Sequence, residues 1–377
     1  MIELVFRHGK DVNSMNKNFS LHTFEISCNI SCEDYYGWRD ALFRYFKGRS
    51  YEPFSTGHIL GLRFRGLSNL GINRIELVQC MGDKFAYRFD IRFVINPRRL
   101  LGEKAYPFTG IATQEHLERT PEIVDAFIQE IYPGFPSIFI NGRITRIDYC
   151  TNINMMSEER AKHYLNLLRK GRYVRNMKPV KMYSKKKKIT EFEDGRMKVK
   201  NGSCELEIYL KQEQMKYGSH SYRVDEIEEA AGYVRFEYRV DRIKIYNIRE
   251  KYSTESEVDL LWRTAEIAEE EMTKLLERMY GTGDFYSQKE AEDRIDKCDR
   301  HTRTKHNMRC IVRSVHDAPN INEAFKWLML PSDQANRYMK HFDHIGVSPI
   351  TYGNKGSLYY NPLKYIKINN VNDGRRT

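Results

Sequence analysis

Three segments of the chain carry charged or polar side chains at every second position. In Arg143-Ile144-Thr145-Arg146-Ile147-Asp148-Tyr149-Cys150-Thr151-Asn152, period-two alternation sets Arg146, Asp148, Cys150 and Asn152 on one side. The same alternation collects Glu205, Glu207, Tyr209 and Lys211 in the second segment, and Arg235, Glu237 and Arg239 in the third. The opposite sides, Leu206/Ile208/Leu210 and Val234/Phe236/Tyr238/Val240, are apolar and belong to a core. A sheet face that joins carboxylates, a phenol, a lysine and arginines has the groups to hold a hard cation and a phosphodiester. Taken by itself, the alternation is also what an ordinary antiparallel sheet with one solvated face displays.

These strands need a scaffold. Phe19–Ser31 alternates, and Ser31-Cys32-Glu33-Asp34 then reads as an N-cap opening a helix to about Lys47. Ile75–Cys80 and Phe85–Ile95 alternate around Met81-Gly82-Asp83-Lys84, a hairpin signal. Thr120-Pro121-Glu122 predicts a helix start with proline at its first position, and Pro133-Gly134 its end. Ser157 caps a helix with Ala161, Tyr164, Leu165 and Leu168 on one face. The pattern predicts an α+β fold with a largely antiparallel sheet and helices on one face. Near Lys251 the composition changes. Thr254-x-x-Glu257 reads as a capping box for one long amphipathic helix reaching Gly281. Short helices are predicted around 302–315, 321–329 and 332–344, followed by a hairpin over 350–360, the order of a winged helix. The expected organisation is a domain over 1–250, an amphipathic connecting helix over 251–285 and a winged-helix-like DNA-binding domain over 286–377.

The chain has 377 residues, 41% hydrophobic and 12% aromatic, which is enough apolar surface for a real core and excludes general disorder. No stretch reaches the roughly 20 apolar residues of a membrane span, and the N-terminus lacks a signal-peptide core, so an intracellular protein is expected. Seven cysteines without a Cys-x-x-Cys pair read as reduced structural residues. A net charge of +11 favours an anionic partner, nucleic acid first. The segment Arg169, Lys170, Arg172, Arg175, Lys178, Lys181 and Lys185, Lys186, Lys187, Lys188 contains no acid and interleaves Tyr173, Met177 and Tyr183. Mixed basic and aromatic residues suit single-stranded DNA.

Arg143-Ile-Thr-Arg-Ile-Asp148, Glu207-Ile-Tyr209-Leu-Lys211 and Val234-Arg-Phe-Glu237, preceded by Asp90-Ile-Arg92-Phe-Val94-Ile-Asn96-Pro97, resemble in order the motifs of rolling-circle replication initiators of small plasmids and filamentous-type phages. The resemblance spans about Phe85 to Asn247. It implies a metal-dependent DNA nicking-closing endonuclease, in which a tyrosine attacks one origin phosphodiester and leaves a 5′-phosphotyrosine and a free 3′-OH primer. It puts the nucleophile at Tyr209, with Tyr183 in reserve, assists it with Lys211, and assigns Mg²⁺ or Mn²⁺ to Asp148 and Glu237. Val94 stands where some relatives carry an acid, and Asn152 replaces a second acid, so Glu205, Glu207 and Asn152 remain open as third ligand. Arg146 and Arg235 join Arg169, Lys170, Arg172, Arg175, Lys181 and Lys185 to Lys187 as expected DNA contacts. Implied partners are single- and double-stranded origin DNA, a host helicase and a second copy of the chain, in the cytoplasm of a bacterial host. The competing reading is a non-catalytic DNA-binding regulator of a phage or plasmid.

Overall fold

The structure, a computed structural model, describes residues 19–48, 51–81, 87–102, 111–174, 176–180, 195–217, 222–353 and 358–373. In chain order the strands are β1 (Ser20–Ile30), β2 (Tyr51–Thr56), β3 (Ile59–Phe64), β4 (Ile72–Met81), β5 (Tyr87–Ile95), β6 (Gly142–Asn154), β7 (Lys178–Pro179), β8 (Arg196–Lys200), β9 (Cys204–Leu210) and β10 (Tyr233–Asp241). They form one sheet in the order β2-β3-β4-β5-β1-β6-β10-β9-β8-β7, each neighbouring pair antiparallel. The fold is α+β with a large antiparallel sheet.

Helices α1 (Cys32–Tyr45), α2 (Pro97–Leu100), α3 (Gln114–Ile131), α4 (Ile138–Asn141) and α5 (Glu158–Arg169) interrupt the strands. Next come α6 (Lys211–Tyr217), α7 (Val224–Glu229), α8 (Arg242–Tyr252), α9 (Glu257–Trp262) and α10 (Thr264–Tyr280). The chain continues through α11 (Gln288–Lys297), α12 (Thr302–Asp317), α13 (Ile321–Trp327), α14 (Ser332–His344) and α15 (Pro362–Asp373). Helix α1 packs on β4 and β5; α4, α8, α10 and α15 pack on β6, with α4 and α10 also on β1; α5 crosses β8, β9 and β10. Their buried faces, such as Trp38, Tyr164, Leu165, Met272 and Leu275, join Ile147, Tyr149, Leu206, Ile208, Phe236 and Tyr238 in one apolar cluster. Ser31 and Ser157 cap α1 and α5 as their positions predict, each hydroxyl accepting from the backbone amide three residues on.

Several local expectations change once packing is known. Helix α3 starts seven residues before Pro121: Thr113 caps it in a reciprocal box with His116, and Pro121 lies inside the helix. The long helix expected after Lys251 is two, divided at Arg263. Ser256 is the cap that accepts from Asp259 N, while Glu257 turns inward to accept from Ile144 N at 2.8 Å and to pair with Arg249 and Arg143. A buried backbone amide at the start of β6 needs that acceptor, which outranks a local cap. Helix α10 lies against β1 and β6, and the apolar cluster runs on into α11, α12 and the tail. The three expected helices form as α12, α13 and α14, with α11 before them, and the arms of the expected hairpin bridge to another segment: Tyr352 to Ser287 and Tyr359 to Phe285. Most of the wing, residues 354–357, lies outside the described residues. Tyr359 is drawn there by aromatic packing, stacked 6.0 Å from Tyr164, itself 6.0 Å from Phe285.

Candidate active site on the polar sheet face

Strand β10 lies between β6 and β9, and its register sets the site. Arg235 pairs with Asn152 and Tyr209, Glu237 with Cys150 and Glu207, and Arg239 with Asp148 and Glu205. Side chains opposite one another in such ladders have Cβ atoms about 5 Å apart, so the three segments read from alternation converge on one face. That face is not simply solvated. Asp148 and Arg235 are each 2% exposed and Tyr209 is 5% exposed, so these polar groups must satisfy one another.

The Tyr209 hydroxyl donates to Glu237 Oε1 at 2.7 Å. The same oxygen lies 3.0 Å from Arg235 Nε and 3.0 Å from His22 Nδ1. Burial, with the Glu237 charge beside it, pushes the Tyr209 phenol well above its ordinary range. Burial also pushes the Glu237 carboxyl up, but His22, Arg235 and the Tyr209 hydroxyl outweigh it and leave the carboxyl well below its usual range. Burial lowers the His22 imidazole against the pull of Glu237, and Arg235 adds a second positive group beside the carboxylate. His22 was missed by sequence reasoning. It is the extra residue of a bulge, where β1 skips from Leu21 opposite Tyr149 to Thr23 opposite Asp148. The available signal was a histidine in a strand destined to pair with the Asp148 strand.

Asp148 accepts from Arg239 through two nitrogens, Nε to Oδ1 at 2.7 Å and Nη2 to Oδ2 at 3.2 Å, and from the Thr23 hydroxyl at 2.5 Å. Arg146 Nε stands 3.4 Å from Oδ1. Burial would raise this carboxyl; Arg146 and Arg239 overcome it and hold it below the usual range. Glu205 pairs with Arg239 and Lys198, and Glu207 with Arg196 and Lys198, which ties both toward β8. Burial pushes the Cys150 thiol up to about 11, consistent with a structural cysteine.

Lys211 does not continue the strand. Strand β9 stops at Leu210, and Lys211 opens α6 as a buried side chain donating to Gln214 Oε1 at 2.8 Å. Its Nζ still sits 6.0 Å from the centre of the Tyr209 ring. Burial, together with the Arg235 charge, lowers its ammonium to about 7.

Asp148, Glu237 and His22 line one groove with Thr23, Arg65, Arg74, Arg146 and Arg239. Among the described residues no three His, Cys, Asp or Glu side chains are grouped to hold a metal ion by themselves. Asp148 and Glu237 line the groove as hard oxygen donors, the type Mg²⁺ takes, and each is already paired with an arginine, Asp148 with Arg239 and Glu237 with Arg235.

The expected DNA contacts divide. Arg146 faces the groove, whereas Arg235 lies beneath it against Glu237. Lys170 donates to the carbonyls of Val315, at 3.1 Å, and His316, and Arg172 to Asn336 Oδ1 at 2.6 Å, so both tie α5 to the C-terminal helices. Arg169 donates to Arg196 O at 3.1 Å beside a second cavity of about 310 Å³ lined also by Tyr173 and Lys198. Arg175, Lys181, Tyr183, Lys185, Lys186 and Lys187 lie outside the described residues.

No protein-family model matches the chain. No curated protein matches it either. Among solved structures it is similar to the rolling circle replication initiator protein from Geobacillus stearothermophilus, with 11% identity and a TM-score of 0.28 over 60% of this chain and 76% of that one. Among the described residues, no helix is long and apolar enough to cross a membrane.

Proposed function

We propose that the chain is a rolling-circle replication initiator that nicks and rejoins origin DNA through Tyr209. The observation that carries this reading is the Tyr209 hydroxyl, bonded at 2.7 Å to a carboxylate that lines a groove shared with Asp148 and four arginines. The order of motifs along β6, β9 and β10 supports it. In the proposed step the Tyr209 oxygen bonds to phosphorus and the bond from phosphorus to the 3′ oxygen breaks. Glu237 accepts the hydroxyl's hydrogen bond and orients it; the phenolic proton is given up as the new bond forms, and the departing 3′ oxygen takes up one proton and becomes the primer hydroxyl. A divalent ion, Mg²⁺ or Mn²⁺, held by Asp148 and Glu237, supplies positive charge to the non-bridging oxygens when bound. Arg146 and Arg239 orient Asp148, and Arg235 keeps Glu237 ionised beneath the groove. Strand transfer reverses the same step with another 3′-OH.

The deciding experiment incubates the protein with a 3′-labelled single-stranded origin oligonucleotide and Mn²⁺. A shifted, protease-sensitive species on a denaturing gel, with the adduct mapped to Tyr209, is the expected result. An adduct on Tyr183 moves the nucleophile and keeps the activity. DNA binding with no adduct on any tyrosine replaces the enzyme with a non-catalytic DNA-binding regulator.

A further inference from the structure

Strand β1 breaks its alternation beside the site. Leu21 and Phe24 are both buried in the core, although they stand three residues apart. In a regular strand, Leu21 on the core side would take Thr23 there as well and leave His22 alone on the polar side. The bulge between Leu21 opposite Tyr149 and Thr23 opposite Asp148 sets two consecutive side chains, His22 and Thr23, on the groove. Each meets a different carboxylate. Thr23 Oγ1 donates to Asp148 Oδ2 at 2.5 Å, and His22 Nδ1 lies 3.0 Å from Glu237 Oε1. One irregularity in β1 therefore supplies a neighbour to an acid of β6 and to an acid of β10.

The contacts of Glu237 are one-sided. The Tyr209 hydroxyl, Arg235 Nε and His22 Nδ1 all meet Oε1, at 2.7, 3.0 and 3.0 Å. Oε2 takes no hydrogen bond or ion pair among the described residues and is not shut from solvent. Arg235 is buried and holds the carboxylate from beneath, whereas the partly exposed His22 stands on the groove side. His22 Nδ1 is itself shut from solvent and has no other acceptor among the described residues. Lone pairs on both atoms at that distance would repel, so the neutral ring carries its proton on Nδ1, as the charged ring also does. The contact thus holds in either state of the imidazole.

We propose that His22 is a positioning residue, which holds Glu237 Oε1 against the Tyr209 hydroxyl and so leaves Oε2 turned to the groove and the divalent ion. This rests on the proposed function for the roles of the phenol and the ion, and one arm of its test is independent of nicking. Mn²⁺ affinity is measured by titration calorimetry without DNA, and adduct formation with the labelled oligonucleotide, for wild type, His22→Asn and His22→Leu. The two replacements are close in size, but only the asparagine amide puts a donor where Nδ1 was. His22→Leu weakens Mn²⁺ binding and slows adduct formation at saturating oligonucleotide by about tenfold or more, the range for groups that orient a metal ligand. The oligonucleotide concentration for half-maximal rate stays unchanged, because the contact acts on Glu237 rather than on binding. His22→Asn stays within about threefold of wild type in both measurements, a rescue that a packing role would not give. Wild-type affinity and rate in His22→Leu overturn the assignment and leave the nuclease standing. Equal losses in the two variants also overturn it, since the donor then makes no difference, and so does a wild type that binds no Mn²⁺. Weakened Mn²⁺ binding in His22→Leu with rescue in His22→Asn, but no adduct in wild type, keeps the positioning role and removes the nuclease.

Discussion

Tyr209 and Glu237 are diagonal neighbours across the β9–β10 ladder: Tyr209 pairs with Arg235 and Glu237 with Glu207, yet the phenol reaches past its own partner to bond Glu237 at 2.7 Å. Diagonal positions are within reach of aromatic side chains. The consequence is a phenol whose proton already has an acceptor, and a carboxylate that touches both the phenol and the groove.

Tyr209→Phe keeps the ring and removes this bond. A hydrogen bond to a charged acceptor contributes about 1–2 kcal/mol, and Arg235 continues to neutralise Glu237, so the variant stays folded. Adduct formation falls below detection while oligonucleotide binding persists. Gel shift with intact and denatured samples checks both.

Asp148 is more than a surface ligand, because Arg239 and Thr23 both depend on it. Asp148→Asn leaves the guanidinium without its carboxylate and destabilises the protein by roughly 2 kcal/mol, less than a fully buried pair because Arg239 is partly exposed. Titration calorimetry with Mn²⁺ in the absence of DNA separates this from metal binding: Glu237→Gln and Asp148→Asn each weaken Mn²⁺ binding by tenfold or more. Unchanged Mn²⁺ affinity in both variants removes the ion from these carboxylates.

Lys211 makes stability depend on pH with a definite sign. Its folded pKa is lowered to about 7, whereas the unfolded side chain titrates near 10.4. Between those values the unfolded chain holds more protons, so stability rises with pH. The burden of the buried ammonium is fully present below pH 7 and is relieved above it. From pH 7 to pH 9 wild type gains roughly 2 kcal/mol relative to Lys211→Met in urea unfolding. Parallel profiles for the two proteins contradict the burial of this lysine.

A fragment ending at residue 285 loses partners of the core. Tyr164 on α5 packs against Tyr359 and Tyr365 and donates to Tyr360 O at 3.1 Å, and α15 lies on β6. Truncation exposes Tyr164 and Phe285 together, so the fragment is expected to show a broadened, weakly cooperative thermal transition and apolar dye binding. A sharp transition near that of the full chain shows instead that the C-terminal region is separable, as its composition suggests.

Strand faces were legible because their determinant is local. Alternation in β6, β9 and β10 assigns Asp148, Tyr209 and Glu237 to one face wherever the strands end up, and Ser31 and Ser157 mark helix starts through bonds only three residues long. Helix ends that depend on distant groups were not legible: Glu257 leaves its cap for Ile144 N, and Lys211 leaves its strand for α6. Burial of the polar face also depends on tertiary contacts, since no spacing along β10 reveals that Arg235 will be 2% exposed.

The residues added to the site by the fold come from far away in sequence. His22 enters through a one-residue bulge in β1, and Arg65 and Arg74 from either side of a turn held against Asn96 and Leu100. By itself the sequence determined which side chains share a strand face, because backbone geometry imposes a period of two on any extended segment. Only the tertiary structure decided which strands lie side by side, and therefore which charges neutralise one another and where a groove opens. Register, bulges and long-range polar bonds are properties of pairs of segments, and neither segment carries them alone.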